Sequence, residues 1–152
     1  MMRDVVLIDG YRTPFSKAGT ALAKVPAREL GRVAVTELLA RCGVDPSEVD
    51  EVILGNVAQP SDSTNIARVV ALLSGIPERV PAFTVQRNCA SGCEAVTQAY
   101  EKMIAGRGSI FVVGGTESMS RVPLLFSQTA ATKFQRLSRA RGVAQRLQAL
   151  AA

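Results

Sequence analysis

The sequence predicts an α/β fold in which a mixed, mostly parallel β-sheet has helices on both faces. Four short apolar runs, rich in β-branched residues, alternate along the chain with longer segments whose apolar residues recur at helical spacing. The apolar runs are nearly continuous, which is typical of parallel strands that are buried on both faces. The chain has 152 residues, of which 47% are apolar, and this is enough for one domain with a core.

The first predicted strand is residues 5–8, an apolar run that a glycine turn closes. An irregular connection leads from there to Pro26. This proline is suited to the first turn of a helix over residues 27–42. Cys42 lies on the apolar face of that helix, so we expect it to be a core residue.

The second and third strands follow the same alternation. Asp45 can cap a short helical turn, after which residues 52–54 form the second predicted strand. Asn65 is suited to cap a helix whose apolar residues recur at helical spacing until Gly75 ends it. Residues 82–85 are the third predicted strand.

The last elements are a helix over about residues 89–105 and a fourth strand over residues 109–113. Residues 130–150 predict a weaker, basic helix, and no strand candidate follows it. A parallel sheet rarely ends at an unprotected apolar strand. The predicted sheet is therefore incomplete and lacks its last strand.

The charge of the chain is concentrated in its C-terminal tail. Residues 1–117 contain all thirteen acidic and twelve basic residues, whereas residues 118–152 carry six basic residues and no acidic one, giving +5 for the chain. This tail either is a solvated helix face or contacts phosphate groups. We do not expect nucleic-acid binding, because the only aromatic residues of the tail are Phe126 and Phe134 and no stacking motif is present.

The cysteine pattern excludes several protein classes. Cys42, Cys89 and Cys93 have no disulfide-framework spacing, and without histidine or a Cys-x-x-Cys pair they do not indicate a metal site. We therefore expect a cytoplasmic protein with free thiols. The chain runs from Met1 almost directly into the first apolar run, and no run is long enough to span a bilayer, so neither a leader nor a membrane segment is expected.

Cys89 is the strongest candidate for a catalytic residue. It lies where the third strand gives way to a helix, and the positive end of a helix dipole favours the nucleophilic thiolate. Ala90, Ser91 and Gly92 leave room for a substrate, and free N–H groups of the first turn can stabilise an oxyanion. The alternative is that Cys89 is only a small buried apolar residue.

The motifs around Cys89 resemble the N-terminal half of the thiolases. The most specific are Gln-Arg-Asn-Cys-Ala-Ser-Gly at 86–92 and Gly-Gly-Thr-Glu-Ser-Met-Ser-Arg at 114–121; further matches, in the family's order, are Arg-Thr-Pro-Phe at 12–15, Gly-Asn-Val at 55–57 and Asn-Ile-Ala-Arg at 65–68. The resemblance extends from Val5 to at least Pro123. It is strongest to the acetyl-CoA acyltransferase (3-ketoacyl-CoA thiolase) branch.

This resemblance implies acyl transfer between 3-ketoacyl-CoA or acetyl-CoA and CoA, in fatty-acid β-oxidation or acetoacetyl-CoA metabolism. Cys89 would be the nucleophile that carries the acyl group as a thioester, and its backbone N–H would belong to the oxyanion hole. Coenzyme A thioesters would be substrates, with no permanently bound cofactor. It also implies a thiolase N-terminal domain over residues 1–121, the start of a loop domain over 122–152, and a homo-oligomer formed through the N-terminal domain.

The other catalytic groups of thiolases have no counterpart in the sequence. The family uses a histidine in Gly-His-Pro, a second cysteine in Cys-x-Gly and an asparagine in Asn-Glu-Ala, and none of these motifs occurs. Cys93 does not replace the second cysteine, because it lies one helical turn after Cys89 and is expected to pack inward. We therefore expect a chain that is inactive alone and has a possible partner in a C-terminal thiolase chain. The alternatives are a non-catalytic scaffold and, less favoured by the Glu-Ser-Met-Ser run, a condensing enzyme of fatty-acid synthesis.

Five residues in or near the motifs carry further expectations. Asn88, Cys93 and Glu94 differ from the commoner thiolase residues and so bear on the substrate subgroup. Glu117 is expected to be a buried, hydrogen-bonded structural acid in preference to a proton carrier. Met119 is expected to line the acyl pocket or the core.

Overall fold

A three-stranded parallel sheet lies at the centre of the computed structural model, which describes residues 4–151. The strands are β1 (Glu51–Gly55), β2 (Ala82–Val85) and β3 (Phe111–Gly115), in the order β2-β1-β3. The register pairs Gly55 with Val85 on one side and with Gly115 on the other. Met1–Arg3 and Ala152 lie outside the described residues. They are the outer ends of the two predicted domains, and Met1–Arg3 is also the start of the chain, where no leader was expected.

Helices cover both faces of the sheet, which confirms the predicted fold class. In chain order they are α1 (Ala27–Cys42), α2 (Ile66–Leu73), α3 (Ser91–Ile104), α4 (Gln128–Arg139) and α5 (Val143–Ala151), with a short 3₁₀ turn at Pro46–Glu48. Asp45 and Asn65 cap the 3₁₀ turn and α2 as predicted. Helices α1 and α2 share the larger apolar core with one face of the sheet, and α3 packs on the other face around Ile53.

The first predicted strand is wrong. Residues 5–8 have no assigned secondary structure, and Val6, Leu7 and Ile8 are 72%, 81% and 72% exposed. A strand needs a neighbour to satisfy its backbone hydrogen bonds. Here a cavity of about 330 Å³ separates the run from β3, so no ladder can form.

The prediction for Cys42 is also wrong, because this side chain is only half-buried and lines the same cavity. The face expected to be buried was that of Leu30, Ala34, Leu38 and Cys42. The buried stripe of α1 is shifted by one residue and consists of Ala27, Gly31, Val35 and Leu39. Gly31 explains the shift: a Cβ there would lie 2.8 Å from Cγ2 of Val70. A glycine therefore lets α1 approach α2, and this contact leaves no apolar signal in the sequence.

The basic tail forms two helices, α4 and α5, where one weak helix was predicted. Helix α4 has no buried residue. Its most specific contact is an edge-to-face pair of Phe126 and Phe134, whose ring centroids are 5.1 Å apart. Among residues 4–151, no helix is long and apolar enough to cross a membrane.

The fourth predicted strand, 109–113, starts later as β3 because Asp50 binds the residues before it. The Asp50 carboxylate accepts the N–H groups of Ser109 (2.6 Å) and Ile110 (3.0 Å). These two hydrogen bonds lower the pKa of Asp50 below its ordinary value, and the bond from Ile110 has the larger effect. A carboxyl with a lowered pKa stabilises the fold above its unfolded pKa, and this stabilisation is lost as the pH falls through the folded pKa.

Asp50→Asn should therefore lower the free energy of unfolding at pH 7 by less than about 1 kcal/mol, since bonds to a charged acceptor are stronger than those to a neutral one but solvent screens the exposed carboxylate. The difference from the unsubstituted protein should shrink below about pH 4. Urea denaturation at pH 7 and at low pH measures both effects. Glu101→Gln, at an exposed helix position, is the control. An equal pH dependence in the two variants would contradict the role of Asp50.

Candidate active site

The motif segments meet at one edge of the sheet. Because the three strands are parallel, their carboxyl ends lie together, and the chain leaves them at Gly55, Val85 and Gly115. Residues 56–58, 86–89 and 116–119 are therefore neighbours. This is the edge at which open α/β sheets place their binding sites.

Three glycines let the start of α3 lie directly on the strand ends. A Cβ on Gly55 would lie 2.4 Å from the carbonyl carbon of Ser91 and 2.7 Å from the nitrogen of Gly92. A Cβ on Gly115 would lie 3.3 Å from Cα of Gly92. These are backbone contacts, so the first turn of α3 is positioned by the absence of side chains at Gly55 and Gly115.

Cys89 lies in a tight turn between β2 and α3, and its side chain is exposed. Asn88, just before it, has a φ of 48°, in the left-handed region that asparagine tolerates better than most residues. Ser91 fixes the turn: its Oγ donates to the carbonyl of Asn88 (2.7 Å) and accepts the N–H of Arg87 (2.8 Å). The alternative of a small buried apolar residue does not describe Cys89.

Unused backbone donors surround Cys89. Within residues 4–151, none of the hydrogen bonds has the N–H of Cys89, Gly92 or Cys93 as its donor. The N–H groups of Gly92 and Cys93 belong to the first turn of α3, where the helix dipole favours negative charge. The turn can therefore donate to an anion or to a polarised carbonyl oxygen beside the Cys89 thiol.

Charged residues near the turn are paired with each other. Nη1 of Arg87 lies 2.5 Å from Oε2 of Glu94, and Gln98 donates to the other oxygen of Glu94 at 2.9 Å. These contacts lower the pKa of Glu94 below its ordinary value, and the hydrogen bond from Gln98 has the largest effect. Glu94 is therefore held as a carboxylate and acts here as a partner of Arg87.

Cys93 is exposed, so the expectation that it packs inward is wrong. The buried stripe of α3 is Ser91, Ala95 and Ala99, which are small and pack closely on the sheet. Cys93 lies on the opposite side of the helix from that stripe. The chain thus has two exposed thiols one helical turn apart, Cys89 and Cys93.

Glu117 joins the ends of β1 and β3. Its carboxylate accepts bonds from Nδ2 of Asn56 (3.0 Å) and from the N–H groups of Val57 (2.8 Å) and Ala58 (3.2 Å). Gln86, which follows β2, donates to the carbonyl of Val57 at 3.2 Å. Glu117 is half-buried and hydrogen-bonded, so its contacts are those of a structural acid.

Glu117→Gln should lower the free energy of unfolding by about 1–3 kcal/mol, because an amide cannot replace both carboxylate oxygens as acceptors. The midpoint of urea denaturation measures this. Glu37→Gln, at an exposed position of α1, should change the midpoint little. Equal midpoints for the two variants would show that the loop after β1 does not depend on Glu117.

Met119 is 69% exposed, so the expectation that it belongs to the core is wrong, whereas its place in an acyl pocket stays a prediction. Sequence reasoning also missed how the irregular segment before α1 is attached. Oγ1 of Thr116 donates to the carbonyl of Ala27 (2.6 Å), and Oγ of Ser118 donates to that of Val25 (3.0 Å). The small hydroxyl residues of the 114–121 motif are the only signal for these contacts.

Cys89 lines neither of two cavities in the described part of the chain. The 330 Å³ cavity is on the far side of β3, and a second cavity of about 130 Å³ lies between Glu117 and Arg121. No group of three His, Cys, Asp or Glu side chains in the described part of the chain could hold a metal ion.

Comparison with known proteins agrees with this geometry. The model of the family described as "Thiolase, N-terminal domain" matches residues 5–147. Two relatives named probable acetyl-CoA acyltransferase, from Staphylococcus epidermidis and Staphylococcus aureus, are 42% identical over 128 residues, which are 84% of this chain and 32% and 33% of theirs.

A solved structure is also similar. The crystal structure of the acetyl-CoA acetyltransferase of Bacillus anthracis has a TM-score of 0.80 and 40% identity, and the match covers 84% of this chain and 32% of that one. The chain thus spans about a third of the length of the relatives that it matches. By its family match, its fold and the motifs at the carboxyl edge of its sheet, the chain belongs to the thiolase family, of which it contains the N-terminal domain region.

Proposed function

We propose that this chain provides the nucleophile for thiolase acyl transfer, with Cys89 as the residue that carries the acyl group. The observation that supports this most is the exposed Cys89 thiol beside unused N–H donors, at the edge where the three motif segments meet. Similar proteins named acetyl-CoA acyltransferase make coenzyme A thioesters the substrates to expect. The acyl transfer that we propose belongs to fatty-acid β-oxidation or to acetoacetyl-CoA metabolism.

In the degradative direction, Sγ of Cys89 attacks the keto carbon of a 3-ketoacyl-CoA. The bond between the α and β carbons breaks, acetyl-CoA leaves as its enolate and takes up a proton, and the acyl group remains on Cys89 as a thioester. The thiol of a second CoA then attacks this thioester, which releases acyl-CoA and restores Cys89. The N–H groups around Cys89 would stabilise the oxyanion in both transfers.

The proton transfers need groups that this sequence does not contain, since it has no histidine and neither the Cys-x-Gly nor the Asn-Glu-Ala motif. We expect no turnover of acetoacetyl-CoA by the 152-residue chain alone, and measurable turnover by it would refute this dependence. In the same proposal, residues 1–121 form a thiolase N-terminal domain, residues 122–152 begin the loop domain, and the assembled protein is a cytoplasmic homo-oligomer. A non-catalytic thiolase-like scaffold is the alternative.

Bromoacetyl-CoA tests the role of Cys89. The thiol displaces bromide from this analogue and forms a stable thioether, and peptide mapping then gives the rate at each cysteine. We expect Cys89 to react at least about tenfold faster than Cys93, because reactivity follows thiolate character as well as exposure. Cys93 is an internal control, since both side chains are exposed. Equal rates at the two cysteines would favour the scaffold.

A further inference from the structure

An ion pair bridges the turn that carries Cys89. Arg87 precedes Cys89 in that turn, and Glu94 lies in the first turn of α3, so the two charged residues flank the nucleophile along the chain. Nη1 of Arg87 lies 2.5 Å from Oε2 of Glu94. Glu94 is one of the residues at which this sequence differs from the commoner thiolase residues. The bridge is therefore not implied by the family resemblance.

Glu94 is the fixed member of this ion pair. Its side chain is only 16% exposed, whereas that of Arg87 is 69% exposed. Gln98, one helical turn further along α3, donates to Oε1 of Glu94 at 2.9 Å, so each oxygen of the carboxylate has a partner. The helix dipole also favours a carboxylate in the first turn of a helix. The bridge should therefore be firmer than an ordinary exposed ion pair, which contributes little.

The bridged turn contains a residue in an unfavourable backbone conformation. Asn88 has a φ of 48°, which costs free energy for a residue with a Cβ, even though asparagine tolerates it better than most. The N–H groups of Ala90 and Ser91 stabilise this conformation by donating to the carbonyls of Arg87 (3.0 Å) and Asn88 (3.1 Å). These bonds reach no further than the first residue of α3. The ion pair with Glu94 connects Arg87 to the helix beyond that residue.

We propose that Glu94 is a positioning residue for Cys89 and acts through Arg87. Tied to the first turn of α3, Arg87 keeps Asn88 in its left-handed conformation, and the Cys89 thiol stays beside the free N–H groups of that turn. Without this tie the turn relaxes and the thiol moves away from the positive end of the helix, which lowers the thiolate fraction at neutral pH. The inference rests on the proposed function only for the role of Cys89 as the nucleophile.

Two substitutions that break the ion pair test this proposal, because they change the charge near Cys89 in opposite directions. Glu94→Gln leaves the positive charge of Arg87 unpaired, whereas Arg87→Gln leaves the negative charge of Glu94 unpaired. A positioning role predicts that both variants slow the alkylation of Cys89 by iodoacetamide at pH 7 at least about threefold and shift its pH profile towards higher pH. A purely electrostatic role predicts a faster reaction in Glu94→Gln and a slower one in Arg87→Gln. Peptide mapping measures the rate at Cys89 separately from those of the other thiols.

Hydrogen exchange measures the order of the turn itself. The N–H groups of Ala90 and Ser91 should exchange at least about threefold faster in both variants than in the unsubstituted chain, because the bonds that they donate close the turn. The N–H of Ala105 donates to the carbonyl of Glu101 at the far end of α3, and its exchange should not change. This comparison separates a local loosening of the turn from a general loss of stability.

Glu29→Gln is the matched control, because it breaks another ion pair of the chain, that of Glu29 with Arg32 on α1 (2.8 Å). It should leave the alkylation rate of Cys89 within about twofold of that of the unsubstituted chain, since α1 does not carry the turn.

Three results would overturn the proposal. They are opposite changes of the alkylation rate in Glu94→Gln and Arg87→Gln, an unchanged rate in both variants, and equal acceleration of hydrogen exchange at the two ends of α3. Iodoacetamide carries no coenzyme A, so these measurements do not depend on acyl transfer. Failure of Cys89 to react preferentially with bromoacetyl-CoA would reject the proposed function alone.

Discussion

Cys89→Ser will lower the total rate of covalent modification by bromoacetyl-CoA at least about tenfold at neutral pH, down to the rate of the remaining thiols. The physical reason is that a thiolate is the attacking species, and a serine hydroxyl in the same turn is not ionised. The substitution changes one atom of an exposed side chain, so the fold should persist. Intact-mass spectrometry over time measures the loss, and circular dichroism checks the fold.

Cys93→Ser is the matched control, because it removes the other exposed thiol, four residues further along. Its modification rate should stay within about twofold of that of the unsubstituted chain, since Cys89 carries the fast reaction. If Cys93→Ser reduces the rate as much as Cys89→Ser does, the nucleophile has been assigned to the wrong cysteine.

Gly55→Ala will lower the free energy of unfolding by about 2–3 kcal/mol, as expected when an added methyl group meets a packed backbone. The new Cβ would lie 2.4 Å from the carbonyl carbon of Ser91 and 2.6 Å from its oxygen, so α3 must move away from the strand ends. This displacement should also slow the modification of Cys89, which lies two residues before α3. Urea denaturation and the bromoacetyl-CoA rate measure the two effects.

Gly10→Ala provides the comparison, since a Cβ on Gly10 meets no atom within 4 Å. It should leave both the unfolding midpoint and the modification rate nearly unchanged. A Gly55→Ala protein that is as stable as Gly10→Ala would show that α3 is not held against the strand ends in solution.

Elements that are supported by neighbours within the chain could be predicted from the sequence. The three observed strands are continuous apolar runs, and α2 has both its cap at Asn65 and a continuous apolar stripe. Residues 5–8 have an equally clear strand pattern, but a strand exists only if a second strand pairs with it. The apolar pattern of residues 5–8 predicts a strand that is paired with a neighbour. A cavity lies between these residues and β3, so this pairing does not form.

The candidate site could be predicted in its position but not in its packing. Parallel strands alone bring the segments after Gly55, Val85 and Gly115 to one edge, so the convergence of the motifs follows from the fold class. The contact between α3 and the sheet depends on the glycines Gly55 and Gly115. Because glycine has no side chain, these positions add nothing to the hydrophobic periodicity of the sequence. For the same reason the exposure of Cys93 was missed, because the small residues Ser91, Ala95 and Ala99 form the buried stripe.

The carboxylate of Glu117 has a consequence for motion at the site. It holds the loop after β1, and that loop accepts a bond from Gln86, which leads directly into the turn of Cys89. Local opening of any one of these segments therefore breaks bonds that hold the others. We expect the three strand ends to open as one cooperative unit, so that thermal fluctuations which release the loop also disorder the nucleophile turn.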